Sequence, residues 1–99
     1  MAFAHLLEPG DVGRVRLRNR VMWASHATNF AGTGGEVSDE QVHYAARRAR
    51  GGVAMVVSEL VQAATEIDGL RVTHRSLRAD DPRFVAGLAR IAREVHRHG

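Results

Sequence analysis

The run Arg18-Asn19-Arg20-Val21-Met22-Trp23-Ala24-Ser25-His26-Ala27-Thr28-Asn29-Phe30 passes from a charged turn through a short apolar strand into a polar loop. Val21-Met22-Trp23-Ala24 is continuously apolar rather than alternating, as expected of a strand buried on both faces of a parallel sheet. Ser25 and His26 open the loop that follows. Folds of the α/β class carry ligand chemistry just beyond the carboxyl ends of their strands, so this loop is the first place to look for a site.

Downstream, the segment from His26 to Val37 is Gly-rich, and Ser38 then starts a well-marked helix. Ser38 and Gln41 have capping-box spacing, and Asp39 and Glu40 fall in the first turn, where the helix dipole favours anions. Arg47, Arg48 and Arg50 occupy the last turn, and Gly51-Gly52 stops the helix. Val42, Ala45, Ala46 and Ala49 form a narrow stripe of small apolar residues suited to close packing on a sheet. Val53 to Val61 reads as the second strand, apolar until Ser58. Strand, helix and strand in this order make a βαβ unit with parallel strands.

Upstream, residues 5–20 read as a small β opening. Glu8-Pro9-Gly10-Asp11 is turn-prone, and Arg14-Val15-Arg16-Leu17-Arg18 alternates at period two, with Val15 and Leu17 expected to face inward. Beyond the second strand, residues 62–79 read as a long polar connection on the same carboxyl face. Asp81 caps a further helix with Pro82 at its first position. Phe84, Val85, Leu88, Ile91, Ala92 and Val95 recur at helical spacing as its expected buried stripe. The fold class is α/β: the N-terminal part of a (β/α)8 TIM barrel, with an opening β-hairpin, two parallel strands and two helices.

A chain of 99 residues forms one small domain at most, whereas a complete barrel of this type needs roughly 250. Residues 1–99 are therefore expected to be an N-terminal fragment of a barrel domain, the product of a truncated or split gene. Two parallel strands without a third leave open sheet edges. All 14 basic residues are Arg, which codon bias explains, since no basic cluster with interleaved aromatics signals nucleic acid. Without Cys there is no disulfide, thiolate metal site or iron–sulfur cluster in this segment. No apolar run approaches the ~18 residues of a membrane span and no signal-peptide pattern opens the chain, so a cytoplasmic location is expected.

Four segments in order resemble the old yellow enzyme family, the NADH:flavin oxidoreductases and NADH oxidases with their 2,4-dienoyl-CoA reductase and trimethylamine dehydrogenase relatives. Leu7-Glu8-Pro9 through Asn19-Arg20 is similar to the family's opening, which commonly continues into Leu-Lys-Asn-Arg-Ile-Val. His26-Ala27-Thr28-Asn29-Phe30-Ala31 resembles a branch reading His-x-Thr-Asn. Tyr44 to Val53, leading to Val57-Ser58-Glu59, resembles the family's Tyr, Ala/Arg-rich helix end, Gly-Gly, strand and Thr/Ser-Glu. Val95-His96-Arg97-His98-Gly99 is similar to the helix end before a third strand.

The resemblance implies FMN at the carboxyl end of an eight-stranded barrel, reduction by NADH or NADPH, and hydride delivery to an activated alkene or related small-molecule acceptor. Carried over by position, Ser25, His26 and Ala27 fall where the family lines the isoalloxazine ring, and Leu60 falls near a second flavin contact. Ser25 replaces a common Pro. Ala27 stands where many members have a Thr, Cys or His that tunes the flavin, so that side-chain tuning is absent here. No catalytic residue is assigned, and the 99 residues alone are not expected to be catalytically competent.

Each feature also has a plainer reading. Gly32-Thr33-Gly34-Gly35 lacks the Lys-Ser/Thr of a phosphate loop and is expected only to shape the chain. Glu59 is expected to be a barrel-mouth carboxylate paired with an Arg. Trp23 reads as core. His74-Arg75 reads as solvated loop, and the histidines share no metal-ligand spacing. A different class stays open: a non-enzymatic remnant or small interaction module that self-associates through its open sheet edge.

Overall fold

The computed structural model describes residues 2–63 and 76–99. Two short parallel strands form its centre, β3 (Met22–Trp23) and β4 (Met55–Val56), in the register Met22↔Met55 and Trp23↔Val56. Ala54 N–H donates to the Val21 carbonyl and Val57 N–H to that of Trp23, both at 2.9 Å, so the ladder reaches one residue past each strand. These are the two parallel strands expected from the apolar runs, though shorter than those runs. The run expected to continue from Val53 to Val61 breaks after Val56. Val61–Gln62 is a separate strand, β5, paired in parallel with β6 (Leu77–Arg78) inside the segment read as a polar connection.

Helix α2 (Asp39–Arg50) makes the crossover from β3 to β4. Its start matches the cap expected at Ser38, whose hydroxyl accepts from Gln41 N–H at 3.1 Å. The second half of the capping box does not form, because the Gln41 side chain turns to Thr28 instead. Val42, Ala45 and Ala49 are buried, and their small size lets α2 lie close to its neighbours. Asp81 caps the last helical segment by accepting from Arg83 N–H, Pro82–Phe84 forms a 3-10 turn, and α3 (Val85–His96) follows. The two long helices pack on each other, and Arg90 of α3 reaches Asp39 of α2 at 2.7 Å.

Three expectations need correction. His5-Leu6-Leu7 belongs to a helical turn, α1 (Ala4–Leu7), and not to a β segment. The hairpin β1 (Gly10–Val12) with β2 (Val15–Leu17) is present and antiparallel, but Val15 is 57% exposed. A two-stranded ribbon standing alone has no layer to bury the inward side of its alternation. In α3, Phe84 just before the helix is buried, Val85 is 62% exposed and no helix residue is fully buried. Leu88, Ile91 and Val95 line an open cleft of about 340 Å³ between α2, α3 and the strands. Their stripe has the right period but only part of its covering layer. Exposed Met22, Val57 and Leu60 on or after the two central strands belong to the same pattern.

Candidate functional site

Beyond Trp23 the chain leaves the sheet, and Ala24, Ser25, His26 and Ala27 are all exposed. Thr28 ends this exposed run. Its N–H donates to Glu59 Oε2 and its hydroxyl donates to Glu59 Oε1, both at 2.8 Å. Phe30 N–H donates back to Thr28 Oγ1 at 3.2 Å, closing a local turn. Asn29, between them, takes φ +59°, a left-handed conformation that Asn tolerates better than most residues. The Thr-Asn pair therefore has a physical role: Thr28 ties the loop, and Asn29 turns it.

Glu59 is only 6% exposed and no ion pair to it exists among the described residues. The Arg partner expected at the barrel mouth is not what holds it; Thr28 is. The carboxyl accepts both bonds, one on each oxygen. Gln41, 5% exposed, places its amide 3.3 Å from Thr28 Oγ1. The single hydroxyl proton already goes to Glu59, so a flipped Gln41 amide, donating from Nε2, completes the network. One side chain from each of the β3 loop, helix α2 and the chain after β4 thus meet at one buried point. Sequence reasoning weighed Glu59 alone and missed Thr28 as its partner and Gln41 as a second contact of Thr28. The signal was the polar Gln in an otherwise small and apolar stripe.

The rest of the loop is fastened on its far side. Arg78 N–H donates to the Gly35 carbonyl at 3.1 Å, and Arg78 Nη1 donates to that of Gly34 at 3.3 Å. Gly35 has φ +87°, and a Cβ there would fall 2.4 Å from the Arg78 side chain, so Gly is required. Arg78 also pairs with Asp80 at 2.8 Å and lies over the Phe84 ring. The hydrogen bond to Asp80 holds the Arg78 pKa above its usual value. The Gly-rich run shapes the chain and packs on Arg78. His74-Arg75 lies outside the described residues.

Of the residues carried over as cofactor contacts, Ser25, His26 and Ala27 lie together at the carboxyl end of β3. Leu60, 52% exposed, follows Glu59 beyond β4. His26 also lines the 340 Å³ cleft beside Trp23, Tyr44 and Glu59, while Ser25, Ala27 and Leu60 lie outside it. Trp23 is half-buried, donating from Nε1 to the Tyr44 hydroxyl at 3.1 Å, with Arg48 stacked 3.9 Å from the Tyr44 ring centre. Its place is structural.

Parallel strands joined through a helix, with an exposed polar loop fixed at their carboxyl ends, make a βαβ unit of the α/β class. A family model described as NADH:flavin oxidoreductase / NADH oxidase matches residues 5–99, and the chain belongs to that family. An NADH oxidase of Thermoanaerobacter brockii is 37% identical over 97 residues, covering 98% of this chain and 15% of that protein. The N,N-dimethylglycine/sarcosine dehydrogenase of Chromohalobacter salexigens is 29% identical over 99 residues, covering all of this chain and 14% of that protein. The chain therefore spans about one seventh of the length of these relatives. The crystal structure of old yellow enzyme from Pichia sp. AKU4542 superposes with a TM-score of 0.86 at 21% identity, over 100% of this chain and 25% of that one. The fold is the N-terminal part of a (β/α)8 barrel, and the described residues form no closed barrel.

Proposed function

We propose that this chain supplies the first flavin-facing loops of an FMN-dependent oxidoreductase of the old yellow enzyme type. The reaction class proposed is hydride transfer, with NADH or NADPH as the reductant and an activated alkene or a related small-molecule compound as the acceptor. The observation that carries the reading is the family match over residues 5–99, together with the fixed loop at the carboxyl ends of β3 and β4, where barrel enzymes place their chemistry.

The residues present fit such a cofactor. Ala27 and exposed Leu60 offer small and apolar contact to a flat ring, and Ser25 offers a hydroxyl donor. FMN, when bound, supplies the hydride-accepting and hydride-donating centre. In this reading Ser25, His26 and Ala27 would hold the ring from the loop after β3 and Leu60 from the chain beyond β4. The proposal assigns no proton donor and no phosphate ligand among these residues.

The test is to purify the protein from its complete reading frame with FMN and add NADH or NADPH without oxygen. A yellow protein that bleaches on reductant and recovers its colour with an enone is expected. A protein that takes up no FMN overturns the reading.

A further inference from the structure

We infer that Glu59 is a positioning residue for the flavin contacts: it sets the Ser25–Ala27 segment through Thr28, and does so without meeting the cofactor. The inference rests on the FMN reading above and adds a residue to it.

The geometry is specific. Ser25, His26 and Ala27 are exposed and sit between two fixed points, the last paired residue of β3 and Thr28. The first fixed point is held by the ladder, where Val57 N–H meets the Trp23 carbonyl at 2.9 Å. The second is held by Glu59, which grips Thr28 by backbone and side chain at once, each bond 2.8 Å long. Only four residues, Ala24 to Ala27, lie between these points; the next anchor is Phe30, whose carbonyl accepts from the Ser38 hydroxyl, so releasing Thr28 from Glu59 loosens the contact segment without detaching the loop. Glu59 and Thr28 are 31 positions apart in the chain, and Glu59 directly precedes Leu60. The grip therefore also ties the two halves of the proposed flavin edge, Ser25–Ala27 and Leu60, to one another.

A buried carboxyl serving only stability would be satisfied by any donors. This one takes both of its bonds from the single residue that ends the contact segment, and Gln41 abuts the same hydroxyl from α2 at 3.3 Å. The arrangement fixes the loop after β3 to the chain beyond β4, with α2 alongside.

The experiment compares wild type, Glu59→Ala, Glu59→Gln and Thr28→Val, each expressed from the complete reading frame. Backbone amide exchange at Thr28 is followed without flavin, and FMN affinity and the visible spectrum of bound FMN are then measured. Glu59→Ala should speed exchange at Thr28 while amides in the middle of α2 keep theirs. It should also weaken FMN binding by about tenfold, because a loosened contact segment must be ordered again on binding, and alter the bound-flavin spectrum. Glu59→Gln keeps an acceptor and should recover part of the affinity. Thr28→Val keeps the N–H bond and the side-chain shape, and should lose affinity by a smaller factor. It carries the test if Glu59→Ala does not fold.

FMN affinity and spectrum equal to wild type in a folded variant whose Thr28 amide has been freed would overturn the inference. A wild-type protein that binds no FMN would instead sink the flavin reading itself, and the wild type alone distinguishes the two failures.

Discussion

At the amino-terminal end of β3 and β4 the ties run from side chains to backbone carbonyls, whereas at the carboxyl end they converge on one buried carboxyl. Below the strands, Arg18 Nη2 donates to the carbonyls of Ala49 at 3.0 Å and Val53 at 3.1 Å, and Nη1 donates to that of His98. Asn19 Nδ2 donates to the Gly52 carbonyl at 2.7 Å, and Asn19 Oδ1 accepts from Val21 N–H. These bonds join the ends of both long helices to the starts of both strands. Of these carbonyls, that of Ala49 lies in the last turn of α2 and also accepts from Gly52 N–H at 3.1 Å. Above the strands, Glu59, Thr28 and Gln41 hold a loop and leave its neighbours exposed. The lower end is fastened to keep elements together. The upper end is fastened to keep a surface in one shape.

The largest expected effect comes from breaking the lower end. Arg18→Ala removes a guanidinium that spans three carbonyls from different elements. It should cost about 2 kcal/mol in urea denaturation, below the sum for three charged donors because the side chain is partly solvated. Arg18→Lys should recover less than half, because an ammonium lacks the planar fork that reaches several acceptors at once. Amide exchange at Thr28 should not accelerate beyond the global change. If Arg18→Ala freed Thr28 selectively, the two ends would be one coupled unit and the comparison would fail.

A smaller effect is expected midway between the ends. Tyr44→Phe removes the acceptor of the Trp23 indole N–H, at 3.1 Å, while keeping the ring contacts with Trp23, Phe30 and Arg48. The loss should be about 1 kcal/mol, a typical net value for one hydrogen bond in a half-buried setting. Indole fluorescence should shift with it, because Trp23 is the sole Trp of the chain. An unchanged melting curve would mean that Trp23 finds water as easily as Tyr44, and that the middle of the unit contributes little to either end.

The parts of this molecule visible in its sequence are those fixed by local rules. Ser38 as a cap, Gly51-Gly52 as a stop, and Asp81 with Pro82 as a helix start depend on neighbours within a few residues, and all three are found in place. The parallel pairing of Val21–Ala24 with the run after Gly52 followed from apolar continuity. What could not be read depends on groups far apart in the chain. Nothing local to Glu59 indicates that its partner is Thr28, and a charged residue at a strand end usually suggests a cation. The fate of Val15 and Val85 was equally hidden, since periodicity shows which side chains share a face and says nothing of whether a layer covers that face. The site was visible as a position, the loop after the first strand, and the fastening that shapes it was not.

The smallest effect is expected at a pair belonging to neither end. Asp39 and Arg90 join α2 to α3 at 2.7 Å on the surface. The hydrogen bond from Arg90, and then its charge, hold the Asp39 carboxyl below the usual carboxylate range. A depressed pKa contributes stability above the unfolded value, near ~3.9, and that contribution is lost as pH falls through the lower folded value. Asp39 also lies in the first turn of α2, where its negative charge suits the helix dipole, and this part disappears on the same protonation. Asp39→Asn should therefore lower the unfolding midpoint slightly near neutral pH and match wild type once the carboxyl is protonated. Solvent screening keeps the difference small throughout. Thermal melts of both proteins between roughly pH 6 and roughly pH 2 would test this, given the reference carboxylate value. A gap that stayed constant across the range would assign the effect to packing and not to charge. In either case FMN affinity and Thr28 exchange should match wild type, because the pair ties helix to helix and leaves the Glu59 grip on the loop intact.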